Sequence, residues 1–106
     1  MIIEWLKFQV PTELREKFIQ LDDKIWSTVL ARYPGYLSKE IWINPDDQTE
    51  VAVTIRWENL EAWKSIPQER LEEAENQFSQ AMAGRYQLLE GKAYQVRKFP
   101  QSSPTS

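Results

Sequence analysis

The sequence contains no cysteine and no histidine. Without cysteine the chain has no disulfide, no thiol nucleophile and no cysteine ligand for zinc. Without histidine it lacks the commonest general base and the commonest nitrogen ligand for metals, and it cannot hold haem through a proximal histidine. We therefore expect neither a metal ion nor a cofactor.

Long apolar runs are also missing, and the first ten residues include a Glu and alternate in polarity, unlike a signal peptide. Lys and Arg number 13 and Asp and Glu 16, a net charge of −3 that argues against a general nucleic-acid binder. The sequence thus predicts a cytoplasmic protein with neither membrane nor nucleic acid among its partners. Its 106 residues suit one domain, expected over residues 1–99, with a disordered polar tail over 100–106.

Hydrophobic periodicity divides the chain into strands and helices. Alternation at every second residue predicts strands, and apolar residues three or four apart predict amphipathic helices. Strands are predicted over 2–10, 36–44, 49–57 and 86–99, and helices over 12–33, 59–63 and 66–83.

The order of the main elements is β-α-β-β-α-β, which predicts a ferredoxin-like α+β fold. Such a fold has a four-stranded antiparallel sheet, usually in the order 4-1-3-2, with its helices on one face. The second strand then lies at an edge. Lys39 is in phase with Leu37, Ile41 and Ile43 on the apolar side of this strand, which fits an edge, where an inward-pointing charge blocks unwanted pairing.

The sheet face without helices is expected to carry Trp5, Trp42 and Tyr36 among polar residues. A solvated sheet face is normally polar, so large aromatic side chains there indicate that a second subunit, a ligand or both cover it. The residues that we assign to a homodimer interface on this face are Trp5, Trp42, Glu40 and Thr54.

The segments at 35–42 and 53–63, GYLSKEIW and VTIRWENLEAW, resemble sequences of the dimeric α+β barrel superfamily. The similarity is closest to the antibiotic-biosynthesis-monooxygenase-like proteins, especially small uncharacterised bacterial members, and it spans roughly residues 2–99. This resemblance implies a dimer with two facing sheets and a cavity between the sheet and the helices of each subunit. Members include cofactor-free oxygenases of polycyclic phenols, haem-degrading enzymes, isomerases and proteins without known activity.

The resemblance also implies candidate site residues. Haem-degrading members use a His ligand, which is missing here, whereas cofactor-free oxygenases use Asn, Trp, Tyr and Arg side chains near an aromatic substrate. The corresponding candidates for ligand binding are Trp63, Asn59, Tyr36 and Arg56.

Each candidate also has a structural interpretation. Asn is a preferred N-cap residue, and Trp63 would then be a core residue. Arg56 and Glu40 would form a cross-strand ion pair, and Tyr36 a structural hydrogen bond.

Three hypotheses about function follow. The first is a homodimer that binds a small aromatic or apolar ligand. The second is a cofactor-independent monooxygenase or isomerase that acts on a small aromatic compound. The third is a structural dimer without a ligand. A deep apolar cavity would favour the first two, and a strongly perturbed carboxylate or tyrosine inside it would favour the second.

Overall fold

The computed structural model describes residues 1–98 and contains one four-stranded antiparallel sheet in the order β2-β3-β1-β4. This is the predicted strand order read from the opposite edge, and all helices pack on one face of the sheet, so the predicted fold is confirmed. The proposed tail over 100–106 lies outside the described residues. The strands are β1 (Ile2–Gln9), β2 (Tyr36–Ile43), β3 (Glu50–Trp57) and β4 (Gln87–Gln95).

The first helical region is segmented rather than uniform. The sequence predicts one helix over 12–33, whereas the helical run ends at residue 30 and contains a π-helical stretch. Within the described part of the chain, no helix has the length and apolar character needed to cross a membrane. The helical segments are a 3₁₀ turn (Thr12–Leu14), α1 (Arg15–Leu21), the π-helical segment (Asp22–Ser27), α2 (Thr28–Leu30), α3 (Leu60–Lys64) and α4 (Gln68–Ala81).

The core lies between the central strand β3 and the helices. Alternate β3 residues from Val51 to Trp57 are buried on the helix side, as their parity predicts. Phe18 of α1 and Phe78 of α4 meet edge to face above them, with ring centroids 5.1 Å apart. This packing fixes the first and last helical regions over β1 and β3.

Two β-bulges change the predicted side-chain directions. The register between β2 and β3 shifts between Tyr36 and Ser38, so Tyr36 pairs with Trp57 and lies on the helix side. The prediction that Tyr36 lies on the open face is therefore wrong, and Leu37, expected on the apolar side, is 45% exposed. The second bulge lies in β4 at Leu89, between the partners of Lys7 and Phe8.

Candidate functional site

A cavity of about 410 Å³ lies between the helix-facing side of the sheet and the helical layer. This volume is within the range of small-molecule sites in proteins. Apolar side chains from β1, β3, β4 and the helices form most of its wall. The charged and large aromatic side chains in the wall include Glu4, Asp22, Trp26, Lys39, Trp63, Glu72, Glu75 and Tyr86.

Glu4 is an acidic residue on the apolar face of the sheet. It precedes Leu6 and Phe8 at the same parity of β1, and all three side chains line the cavity. Glu4 and Lys39 are both register partners of Ile55, so they flank this residue in one row across three strands. The strand register therefore places a carboxyl group and an amine on the same wall.

Burial raises the pKa of the Glu4 carboxyl above its usual value. The indole N–H groups of Trp57 and Trp63 and the positive charge of Lys39 act in the opposite direction, because they stabilise the carboxylate. The described residues give Glu4 no salt bridge. Trp57 Nε1 is buried and has no hydrogen-bond acceptor within residues 1–98, so it approaches the carboxyl without completing a hydrogen bond.

Asp22 and Lys39 form a buried ion pair beside Glu4. Lys39 Nζ lies 2.7 Å from Asp22 Oδ1 and 2.7 Å from Asp22 Oδ2, and the two side chains are only 7% and 6% exposed. Burial raises the pKa of Asp22 and lowers that of Lys39, and their mutual attraction opposes both shifts. The pair lines both the cavity and a shallower, more open surface pocket near Tyr36, so it forms part of the wall between them.

The π-helical segment supplies both Asp22 and Trp26 to the cavity. Single π turns within α-helices are frequent at functional sites, because they turn side chains away from regular helical positions. Here the π turn lies where an acidic residue and an indole must both face the sheet.

Aromatic groups form much of the remaining wall. Trp63 comes from α3, and its ring has Lys64 Nζ at 4.2 Å from the centroid. On the α4 side, the Tyr86 hydroxyl donates a hydrogen bond to Glu75. Burial and this carboxylate raise the pKa of Tyr86 to about 12, so the phenol stays protonated near neutral pH.

The structure separates the four predicted ligand-binding residues. Trp63 lines the cavity. Asn59 is the N-cap of α3, and its Oδ1 accepts a hydrogen bond from the Ala62 backbone N–H at 2.8 Å. Tyr36 packs on Trp57 with ring centroids 5.7 Å apart and lines the open surface pocket rather than the cavity. Arg56 lies on the opposite face of the sheet, where its Nη1 is 4.0 Å from Met1 Sδ.

The four residues assigned to a dimer interface share the open face. Trp42 is 47% exposed, and its Nε1 donates to Glu40 at 2.9 Å. Glu40 and Arg56 form no salt bridge within residues 1–98, so the alternative ion pair is not formed. Trp5 has Lys92 Nζ at 5.1 Å from its ring centroid. Thr54 pairs with both Trp5 and Glu40 and is only 3% exposed.

Sequence reasoning missed Glu4, Asp22 and Trp26 as cavity residues. The signal was present for the two acidic residues, since each interrupts an apolar pattern. Glu4 is in phase with Leu6 and Phe8. Asp22 stands four residues after Phe18 and four before Trp26, on the apolar stripe of the helix.

The family profile for antibiotic biosynthesis monooxygenases matches residues 1–70. The chain belongs to this family. No curated protein matches the sequence significantly.

Solved structures with the same fold cover nearly the whole chain. SnoaB, a cofactor-independent oxygenase from Streptomyces nogalater, is 14% identical with a TM-score of 0.68, over 97% of this chain and 96% of that one. The ActVA-Orf6 monooxygenase of Streptomyces coelicolor, solved with nanaomycin D, is 17% identical with a TM-score of 0.71, over 96% and 92%. A conserved protein from Methanosarcina mazei is 15% identical with a TM-score of 0.66, over 91% and 92%. At these identities the similarity establishes the fold alone.

Proposed function

We propose that this family member binds a small aromatic or apolar compound in the cavity between its sheet and helices. The observation that carries the proposal is the cavity itself. It has about 410 Å³ of space, indole rings in its wall and a carboxyl group without a salt-bridge partner among the described residues. Trp63 remains in the proposed binding set, and Glu4 supplies the polar end in place of Arg56. The ligand complex of ActVA-Orf6 adds support from a protein of the same fold.

Binding can be measured through the five tryptophans, because Trp26 and Trp63 line the cavity and sense an occupant. Titration with a panel of phenols, quinones and flavonoid-like compounds should give saturable quenching for at least one of them. Trp63→Leu should weaken that binding roughly tenfold, since an aromatic pair contributes about 0.5–1.5 kcal/mol beyond its buried area. Calorimetry should give the same ratio.

The matched control is Leu60→Ala, which alters an exposed residue of the same helix and should leave the affinity unchanged. Arg56→Ala and Asn59→Ala test the remaining sequence-based candidates. A loss confined to Arg56→Ala would move the ligand to the open face. If no compound quenches saturably, the ligand-binding function is refuted and the structural-dimer hypothesis takes its place.

The second candidate function is cofactor-independent oxygenation or isomerisation of a small aromatic compound. The specific observation in its favour is Glu4, a cavity carboxyl whose pKa burial raises toward the range of a general base. Such a base takes a proton from the bound compound, and returning it to another carbon completes an isomerisation. Turnover of a bound compound under oxygen without added cofactor, lost in Glu4→Gln, would favour this function over simple binding.

We also propose that the chain forms a homodimer through its open face, where Trp42 and Tyr94 are each about half exposed. Large aromatic side chains on a sheet face are typical of an interface core. Trp42→Glu should give monomer or aggregate in light scattering, because it places a charge in a desolvated contact.

Leu60→Glu is the control for this substitution, since Leu60 is similarly exposed but lies on α3, away from the sheet face. It should leave the dimer intact. A wild-type chain that is monomeric at micromolar concentration would rule the dimer out.

A further inference from the structure

The free charges in the cavity wall are all negative. Lys39 is the one basic residue among the described lining residues, and both oxygens of Asp22 hold its amine at 2.7 Å. The pair is therefore electrically neutral and closed to other partners. The acidic groups that remain are Glu4, Glu72 and Glu75.

Resting on the proposed binding function, we propose that the compound bound in this cavity carries a protonated amine. The ammonium group pairs with the Glu4 carboxylate, and the apolar or aromatic body lies against Trp26 and Trp63. The ligand class is thus a small cationic amphiphile.

The surroundings of Glu4 favour an ammonium group for three reasons. First, Glu4 has no salt bridge within the described chain, and a buried carboxylate needs an opposite charge to offset its desolvation. Second, the indole N–H groups of Trp57 and Trp63 favour the ionised form of the Glu4 carboxyl, which is the form that pairs with a cation. Third, an ionised carboxylate only accepts hydrogen bonds, and an ammonium only donates them.

The aromatic wall contributes in the same direction. Tryptophan is the best side chain for attracting a cation to its ring face. Trp63 already attracts Lys64 in this way, with Nζ at 4.2 Å from the ring centroid. A carboxylate set among indole rings is thus a suitable environment for a desolvated ammonium.

An anionic head group meets the opposite environment. It would be repelled by Glu4, and by Glu72 and Glu75 on the α4 wall. The amine of Lys39 would have to leave Asp22 to receive it, which would strand a buried carboxylate at a high free-energy cost. The cavity should therefore discriminate between compounds of equal shape by the charge of their polar group.

Three compounds with the same bicyclic ring test this selection: 1-naphthylmethylamine, 1-naphthalenemethanol and 1-naphthoate. Calorimetry on the full chain at pH 7 should show the amine binding about tenfold more tightly than the alcohol, since a hydrogen bond to a charged group contributes more than a neutral one. The carboxylate should bind more weakly than the alcohol. Glu4→Gln should remove the advantage of the amine and leave the affinity for the alcohol nearly unchanged.

Glu72→Gln is the matched control, because it removes one negative charge from the α4 wall and leaves Glu4 in place. This variant should retain most of the preference for the amine.

The affinity for the amine should also rise with pH through the pKa of Glu4 and then level off, since only the carboxylate form pairs with the cation. The other titratable groups around Glu4 are Lys39 on β2, Lys64 on α3, Asp22 on the π-helical segment and Glu72 and Glu75 on α4. The affinity for the alcohol, measured over the same pH range, controls for the effect of these groups.

The outcomes separate the two proposals. If the alcohol or the carboxylate binds as tightly as the amine, the cavity binds small molecules without selecting a cation, and the amine proposal is wrong. The amine proposal is equally wrong if Glu4→Gln keeps the preference. If none of the three compounds binds, and no compound of the wider panel binds either, both the binding function and the amine proposal are refuted.

Discussion

Lys39→Met should lower the free energy of unfolding by about 3–5 kcal/mol, because it leaves the Asp22 carboxylate buried without its counter-charge. Both side chains are almost fully buried, so the Asp22 carboxylate loses most of the charge compensation that it has in the wild-type fold. A loss of this size is a large part of the roughly 5–15 kcal/mol that stabilises a typical domain. Urea denaturation followed by tryptophan fluorescence measures it directly.

The matched control is Lys7→Met, the same substitution in an ion pair on the open face. Lys7 Nζ lies 3.3 Å from Glu50 Oε1, but these side chains are 32% and 26% exposed. Its loss should cost at most about 1 kcal/mol. The double variant Asp22→Asn/Lys39→Met should recover much of the stability, because it removes both charges. Equal costs for the two single Lys variants would mean that the buried pair does not stabilise the fold.

The cost of Lys39→Met should also depend on pH in a defined direction. Burial already raises the pKa of Asp22, and removing Lys39 raises it further. The folded variant then holds a proton that the unfolded chain releases, so its stability falls as pH rises through the folded pKa. The deficit relative to wild type should be largest at pH 8 and should shrink toward pH 5.

The sheet could be predicted from the sequence because strand parity is a strong signal. The alternation of apolar residues in β3 correctly predicts which side chains from Val51 to Trp57 are buried against the helices. Parity fails where a bulge adds a residue, as the reversed direction of Tyr36 shows. A bulge next to a glycine turn has no clear signature in side-chain polarity alone.

The polar part of the cavity was harder to predict, because its members come from three distant elements. Lys39 was recognised as a charge on the apolar side, but alone it indicated only an edge strand. Its relation to Glu4 depends on the register that places both beside Ile55, and its relation to Asp22 depends on the π-helical segment. Three charged residues, each on an apolar stripe, are a signal that sequence analysis can use when they are considered together.

Gly35 should be the glycine whose substitution by alanine affects both stability and the site. Its φ of +91° lies in the left-handed region, and an added Cβ would overlap the Cβ of Ala62 on α3. Its carbonyl also accepts the Glu58 backbone N–H at 2.8 Å, which holds the loop against the start of that helix. Gly35→Ala should therefore push α3, and with it Trp63, away from the sheet.

We expect Gly35→Ala to cost about 2–5 kcal/mol, from roughly 1–2 kcal/mol of backbone strain and about 1–3 kcal/mol of overpacking. Gly84→Ala is the control that measures the backbone strain alone, since Gly84 has a φ of +68° and open space where a Cβ would lie. Adding Ala62→Gly to Gly35→Ala should relieve the overlap and leave the strain, together with about 1 kcal/mol for a glycine in a helix. Denaturation measures these costs, and titration with a cavity ligand should show weaker binding for Gly35→Ala alone. If Gly35→Ala costs no more than Gly84→Ala and binds normally, contact between the loop and α3 does not position Trp63.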